Sequence, residues 1–412
     1  MINPGLYAPG NCLFMRKHRL ISDKLIFTLM TVFIYMMGRF IPLCGVDTSG
    51  KEQVIFDVQT LLTQSIGGDL FKTSIFALGV FPYITSSILV QMVVMCMKSE
   101  NKARISPIKM NRYSMLLMII LSIMQAITRI DDLNFVAGSN IVILLYKFVA
   151  IIQMITGAII IYWLAKRNKR YGIGGQTALI FMNILDGIRT NIFSHDFHSL
   201  IIPLIIGCIG LYVMLIMENA EKRIPMQSIA IYSIYGEENY LAIKCNPIGV
   251  MPMMFATTFF MLPQLVVRFL LKFNPYNERF KWFLENDVLY KPMGIAIYIF
   301  ILYLLTISFS FLMVSPKDLT ERNQKSGDSL VGIRSGKETL SYLRKRIFNL
   351  AFFSATVMAI CIGTPMLLQL SGRVDSSLAM IPTSIMMLTG LACNLYQEVR
   401  AVRSLDSYVP FI

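Results

Sequence analysis

Few residues in this 412-residue chain could make or break bonds. Its three histidines, His18, His195 and His198, fall in no HExxH pattern, and neither GxSxG nor Walker A occurs, so no nucleophile, base or phosphate cradle is spelled out. His195, Asp196 and His198 form one short run with metal-ligand residue types, and a solvated loop between two apolar stretches accounts for it. Seven cysteines, Cys12, Cys44, Cys96, Cys208, Cys245, Cys361 and Cys393, stand singly without a CxxC pair. That predicts neither a disulfide framework nor a metal site. Asp186 and Arg189 lie one short turn apart near the end of an apolar run and read as a local ion pair or an interfacial anchor. A secondary transporter with inverted repeats couples its cycle to buried ionisable groups, and a membrane enzyme needs a nucleophile with a base or a ligand cluster. Both are therefore the weaker alternatives: no catalytic residue, cofactor or metal is expected, and a passive conduit or a scaffold remains.

The elements carrying these residues are apolar. Hydrophobic residues make up 55% of the chain and charged ones 15%, with a mean hydropathy of +0.60, which excludes an ordinary soluble enzyme. The apolar residues gather in runs of about 20 residues, the length that crosses a hydrocarbon core of about 30 Å. Ten such runs are read, at 24–43, 74–97, 113–128, 141–165, 174–192, 200–217, 246–271, 292–314, 348–370 and 378–395. The fold class is therefore an all-α polytopic membrane protein with ten transmembrane helices, five in residues 1–195 and five in 196–412. Arg16, Lys17 and Arg19 precede the first run as in a signal peptide, but no small-residue cleavage site follows and the run ends in Arg39, so it reads as a retained span. With the N-terminus inside, 26 of the 38 Lys and Arg fall in inner segments while the 24 acids divide equally, so the inner face carries the whole net charge of +14. That is the positive-inside bias, and it places both termini and the loops 218–245 and 315–346 in the cytoplasm. Cations spread over loops of alternating topology do not make a nucleic-acid surface.

Gly79-Val80-Phe81-Pro82 in the second run and Gly249-Val250-Met251-Pro252 in the seventh share the pattern G-V-x-P, 170 residues apart. Each is followed by a hydroxyl pair, Ser86-Ser87 and Thr257-Thr258. Five spans separate the two, so one helix runs inward and the other outward, as in inverted-topology repeats. Proline-interrupted helices in corresponding positions of such halves point to a central pathway.

These motifs, with others in order along nearly the whole chain, resemble the SecY/Sec61α protein-conducting channel family. Residues 39–47 (RFIPLCGVD) resemble its end of span one, and 76–91 (FALGVFPYITSSILVQ) are very close to its span-two signature. Residues 171–184, 221–227 (EKRIPMQ) and 246–257 (NPIGVMPMMFAT) resemble the start of span five, the inner loop after span six and the start of span seven. Residues 315–339, with SPKDLTERNQKSG and GIRSGKET, resemble the long inner loop after span eight. The resemblance implies a clamshell of two inverted five-helix halves around a peptide-conducting hourglass, with a lateral gate between spans two and seven. It implies a narrow apolar ring, which can dewet and block ions while soft side chains yield to a passing chain. Matched motif to motif, the ring is Val80, Ile84, Phe181, Leu185, Met254 and Met387, and the plug is about 58–72 with Ile66-Gly67-Gly68. Arg334 matches a functional arginine, and Lys222 with Arg223 a basic docking pair. The implied partners are a SecA-type motor ATPase, SecE-like and SecG-like small membrane subunits, a secreted preprotein and the lipid bilayer, without nucleic acid or cofactor.

Departures from the family pattern carry information. Its usual G-N-G reads Gly174-Gly175-Gln176, and its N-M-A-G reads Asn246-Pro247-Ile248-Gly249. After Arg223 the chain alternates as SIAIYSIY, turns at 236–239 and returns as YLAIKC, which predicts a β-hairpin. The hairpin tip carries Glu237 and Glu238 where housekeeping members tend to be basic. The predicted ring is mixed where housekeeping members favour isoleucine, and the tail after Leu395 is short. Together these suggest an accessory channel of Gram-positive bacteria, exporting Ser-rich glycosylated adhesins with a dedicated motor. A housekeeping channel is the alternative.

Overall fold

The computed structural model describes residues 10–47, 73–97, 106–130, 133–136, 139–228, 240–285, 292–371 and 376–405. The plug segment 58–72, with Ile66, Gly67 and Gly68, lies outside the described residues, as do Glu237 and Glu238.

A helix occupies each of the ten expected places. In chain order these are α1 (Gly10–Gly38), α2 (Phe81–Cys96), α3 (Pro107–Arg129), α4 (Asn140–Tyr171), α5 (Gln176–Ser194), α6 (Phe197–Asn219) and α7 (Met251–Phe273). After the short α8 (Glu278–Glu285) come α9 (Pro292–Met313), α10 (Pro316–Ser326), α11 (Lys337–Leu370), the single turn α12 (Ser376–Ala379) and α13 (Ile381–Leu405). Among the described residues seven helices are long and apolar enough to cross a membrane. The other three at expected places, α2, α5 and α13, are shorter or more polar, and they surround the centre of the molecule, where lipid does not demand an apolar face.

Several helices overrun the apolar runs that announce them. α4 continues through Lys166, Arg167, Lys169 and Arg170, and α11 starts at Lys337, well before residue 348. The α11 extension is held by Leu343 and Ile347, one turn apart, which are buried against Ile224, Ile243 and Leu330 of a small sheet. Tertiary packing, rather than hydropathy, sets that boundary. Conversely, α1 stops at Gly38, where the Phe76 ring occupies the space a Cβ would take, so only glycine fits. Residues 39–46 then leave the helix and form isolated bridges, Pro42 with Ser74 and Val46 with Phe135.

The sheet has the order β2-β1-β3, with β1 Glu221–Ser228, β2 Tyr240–Lys244 and β3 Asp328–Leu330. The returning strand expected over YLAIK is present as β2, paired antiparallel with the first residues of β1, Pro225 opposite Tyr240, while 229–239, with most of SIAIYSIY and the expected turn, lie outside the described residues. Ile224 of β1 fills the core beneath the sheet. β1 also pairs with β3, Met226 opposite Leu330, so the loop after α6 and the loop after α9 form one platform.

Candidate functional site

The two G-V-x-P motifs fold alike. Gly79 has φ +57° and Gly249 φ +68°, a region open to glycine and strained for other residues. Val80 (φ −83°, ψ −10°) and Val250 (φ −81°, ψ −12°) are then the N-caps of α2 and α7. Pro82 and Pro252 follow in the first turn, where a missing N–H costs nothing. The motif is therefore a helix-start device, not the proline interruption of a helix expected from sequence, and spans two and seven begin at Phe81 and Met251 rather than at 74 and 246. Three of the four hydroxyls bond within their own helices: Ser86 and Ser87 donate to the carbonyls of Tyr83 and Ile84 at 2.9 and 3.0 Å, and Thr257 donates to that of Met253 at 2.9 Å, whereas the buried Thr258 hydroxyl finds no partner among the described residues.

The helix starts converge on the largest apolar cluster. Val80, Ile84 and Met387 are 0% exposed and Met254 is 3% exposed, and Phe181 packs against the same cluster half-buried. Leu185 is 39% exposed and is not among that cluster's residues. Five of the six ring residues are thus brought together by α2, α5, α7 and α13. Gly390 on α13 lets Val250 approach so closely that a Cβ there would stand 1.7 Å from Val250 Cγ2. Beside this cluster lies a cleft of about 30 Å³ between α2, α5, α7 and α13, room for one or two waters. Sequence reasoning missed the cleft's polar lining of Ser87, Gln91, Gln176, Thr177 and Asn394, none of it charged. Ile84, Ile88 and Gln91 follow the helical spacing i, i+4, i+7, so part of that lining was readable from the ring position Ile84.

The α1–α5 half meets the rest mainly where α5 lies on α13 and where α3 lies on α7. At the far end of the second seam the Lys272 ammonium donates to the Ile127 carbonyl, so α3 and α7 are tied directly while α2 lines the cleft behind them. The departure at Gly174-Gly175-Gln176 is a tight joint: both glycines have positive φ, +76° and +49°, and Gln176 is the first residue of α5. Glu398 on α13 accepts the Gly174 N–H at 3.0 Å.

The predicted docking cations sit on the platform. Lys222 and Arg223 are exposed neighbours on β1, so strand alternation sends them to opposite faces, and Arg223 lies 4.7 Å from the centre of the Tyr240 ring. Arg334 is exposed in the turn after β3, where its carbonyl accepts from Thr339 at 2.8 Å. Asp186 forms the expected ion pair with Arg189 at 2.7 Å and, unforeseen, a second one with Arg39 at 2.8 Å. His195 places Nδ1 3.0 Å from the Asn191 carbonyl. Among the described residues no three His, Cys, Asp or Glu gather as metal ligands would.

With this geometry, the comparisons with known proteins agree. A SecY family model matches residues 74–396, from just before the turn into α2 to within α13. The accessory Sec system protein translocase subunit SecY2 of Streptococcus gordonii is 30% identical over 402 residues, covering 94% of this chain and 97% of its own. SecY2 of Leuconostoc gelidum subsp. gasicomitatum is 27% identical over 406 residues, covering 94% and 96%. In fold, a solved protein-conducting channel aligns with a TM-score of 0.66 at 18% identity, covering 100% of this chain and 98% of its own. Sec61 from a canine ribosome-channel complex of the endoplasmic reticulum aligns with a TM-score of 0.60 at 18% identity, covering 100% and 98%. A match of this extent, through the twin helix starts and the joint before α5, makes the chain a member of the SecY family.

Proposed function

We propose that this chain is the central channel subunit of an accessory Sec-type preprotein translocase, passing unfolded polypeptide across the cytoplasmic membrane or sideways into it. The observation that carries the proposal is the buried apolar cluster at the paired starts of α2 and α7, with an uncharged polar cleft beside it. Such a seal holds back water and ions by dewetting, and its methionines reshape around a passing chain without reading its sequence. Val80, Ile84, Phe181, Met254 and Met387 form the ring, with Leu185 at its outer margin, and residues 58–72 plug it. The lateral gate lies between α2 and α7, next to the α3–α7 seam.

Both termini and the sheet platform face the cytoplasm, where a SecA-type ATPase docks on Lys222, Arg223 and Arg334 and drives the preprotein. SecE-like and SecG-like subunits cover part of the lipid-facing surface. Support for an accessory rather than a housekeeping role comes from SecY2 relatives in two genera that match nearly end to end, and from the acids Glu237 and Glu238. Deleting the gene in the source bacterium is expected to abolish surface display of Ser-rich glycosylated adhesins while growth continues. Rescue of a strain depleted of its housekeeping channel by this chain would overturn the accessory assignment and leave the channel assignment intact.

A further inference from the structure

We propose that Glu218 is a positioning residue for the gate helix α7, one that holds the turn before Met251 in place while its carboxyl is protonated and releases it on ionisation. Glu218 ends a stripe on α6 that faces α13. Cβ atoms added at Gly207 and Gly210 would meet Ile385 Cδ1 at 2.6 Å and Met386 Cγ at 2.9 Å, and Met214 reaches Gly390 of α13, where a Cβ would lie 3.2 Å from its Cε. Residues 207, 210, 214 and 218 keep the spacing i, i+3, i+7, i+11 of one helix face, so Glu218 follows this seam to the point where α6, α7 and α13 meet. It is 3% exposed, one residue past the apolar run 200–217. Its two carboxyl oxygens stand 3.2 and 3.3 Å from where a Gly249 Cβ would be, directly before Val250, which packs on Gly390.

What surrounds the carboxyl decides its charge. Glu218 Oε2 and the Oδ1 of Asn246, itself 1% exposed, have no hydrogen-bond partner among the described residues, while the Asn246 amide nitrogen donates to the Gly249 carbonyl at 3.0 Å. Two buried acceptors thus flank Gly249 without a donor. The titratable groups that act on Glu218 are Lys244 from β2 and Cys393 from α13; α7 carries none from Met251 to Pro263, and Glu221, Lys222 and Arg223 on β1 are exposed. Lys244 and the N-terminal dipole of α7 both favour the anion. Yet Oε2 accepts no N–H of that helix, the Lys244 ammonium donates to Gln397 Oε1 at 3.3 Å, and among the described residues no ion pair joins Lys244 to Glu218. An unpaired carboxylate so buried is costly, whereas the neutral acid removes the charge and brings the O–H donor that this pocket lacks. When the start of α7 moves away, water and Lys244 reach Glu218, and one proton leaves to the cytoplasmic side. Linkage sets the sign: the arrangement that binds the proton more tightly is favoured at low pH and yields as pH rises through the Glu218 pKa.

The inference rests on the channel reading, and the test separates the two. Resting conductance of the purified full-length chain is measured in planar bilayers while the pH on the cytoplasmic side is raised from about 5.5 to about 8.5. It is expected to rise at least about threefold. Glu218→Gln, a neutral isostere of the acid, should hold it low and flat across the range, whereas Glu221→Gln removes an exposed carboxylate and should leave the rise intact. Infrared spectra of the reconstituted chain should show a protonated carboxyl band above about pH 5.5 that fades as the conductance rises and is absent from Glu218→Gln. Failure of the unaltered chain to transport preprotein with its motor and ATP would overturn the channel reading, and this inference with it. With transport present, a flat profile in the unaltered chain, an undiminished rise in Glu218→Gln, an equal loss in Glu221→Gln, or an infrared band unchanged by Glu218→Gln would each overturn the role of Glu218 and leave the channel reading standing.

Discussion

Arg39 and Asp186 meet at 2.8 Å with side chains 2% and 4% exposed, and Arg189, 65% exposed, closes on the same carboxylate. The nearby pair was legible from the spacing of Asp186 and Arg189, but Arg39 lies 147 residues away and no local pattern announces it. Removing one partner of a buried pair costs about 3–5 kcal/mol when the other charge is left alone. Asp186 keeps Arg189, so Arg39→Ala is expected to cost roughly 2 kcal/mol in denaturant unfolding of the detergent-solubilised chain. Arg39→Met combined with Asp186→Leu should recover most of it, and additive losses in that double variant would contradict the pairing. The glycines of the twin motif make a second residue-level prediction. Gly79→Ala, Gly249→Ala and Gly327→Ala each force a Cβ into positive φ and are expected to cost about 1–2 kcal/mol, with Gly249→Ala the most costly because its Cβ would stand 3.2 Å from Glu218 Oε1 whereas Gly327 has nothing within 4 Å.

Helix starts are where sequence and structure part company at the level of elements. The apolar runs located all ten helices, because a span must bury its backbone hydrogen bonds and present apolar side chains for a fixed length. They misplaced the starts of α2 and α7, since hydropathy does not distinguish an apolar turn from an apolar helix. Gly79 and Pro82 held the missing signal, glycine to turn and proline to begin. The resemblance supplied every proposed ring position, and no local pattern announces Met387, whose place depends on how α13 packs. The apolar cluster includes a close approach of Val250 to α13 at Gly390, on which the proposed constriction would depend. Gly390→Leu is expected to push Val250 away, hydrate the cleft and raise the resting ion conductance several-fold in planar bilayers. Combining Ile84→Ser with Met254→Ser should do the same by removing the dewetting surface. Unchanged conductance in both would mean that the seal lies elsewhere, for example in the plug.

For the whole molecule, the charge distribution predicts a direction and the family gives a use. The topology is best probed at Lys325, exposed near the end of α10, because neighbouring Gly327 has φ +76° and tolerates a cysteine poorly. With Cys44, an exposed native thiol, changed to Ser, a membrane-impermeant maleimide should fail to label Lys325→Cys in intact cells and label it in inverted vesicles. Labelling in intact cells would reverse the orientation. The central claim is that polypeptide passes between α2 and α7 through the apolar cluster. It is tested most directly by placing a photo-crosslinking amino acid at Ile84, at Met254 and at lipid-facing Ile152, then driving a preprotein into the reconstituted channel with its motor and ATP. The account predicts preprotein adducts at positions 84 and 254 and none at 152; adducts at 152 alone, or at none of the three while transport proceeds, would contradict it.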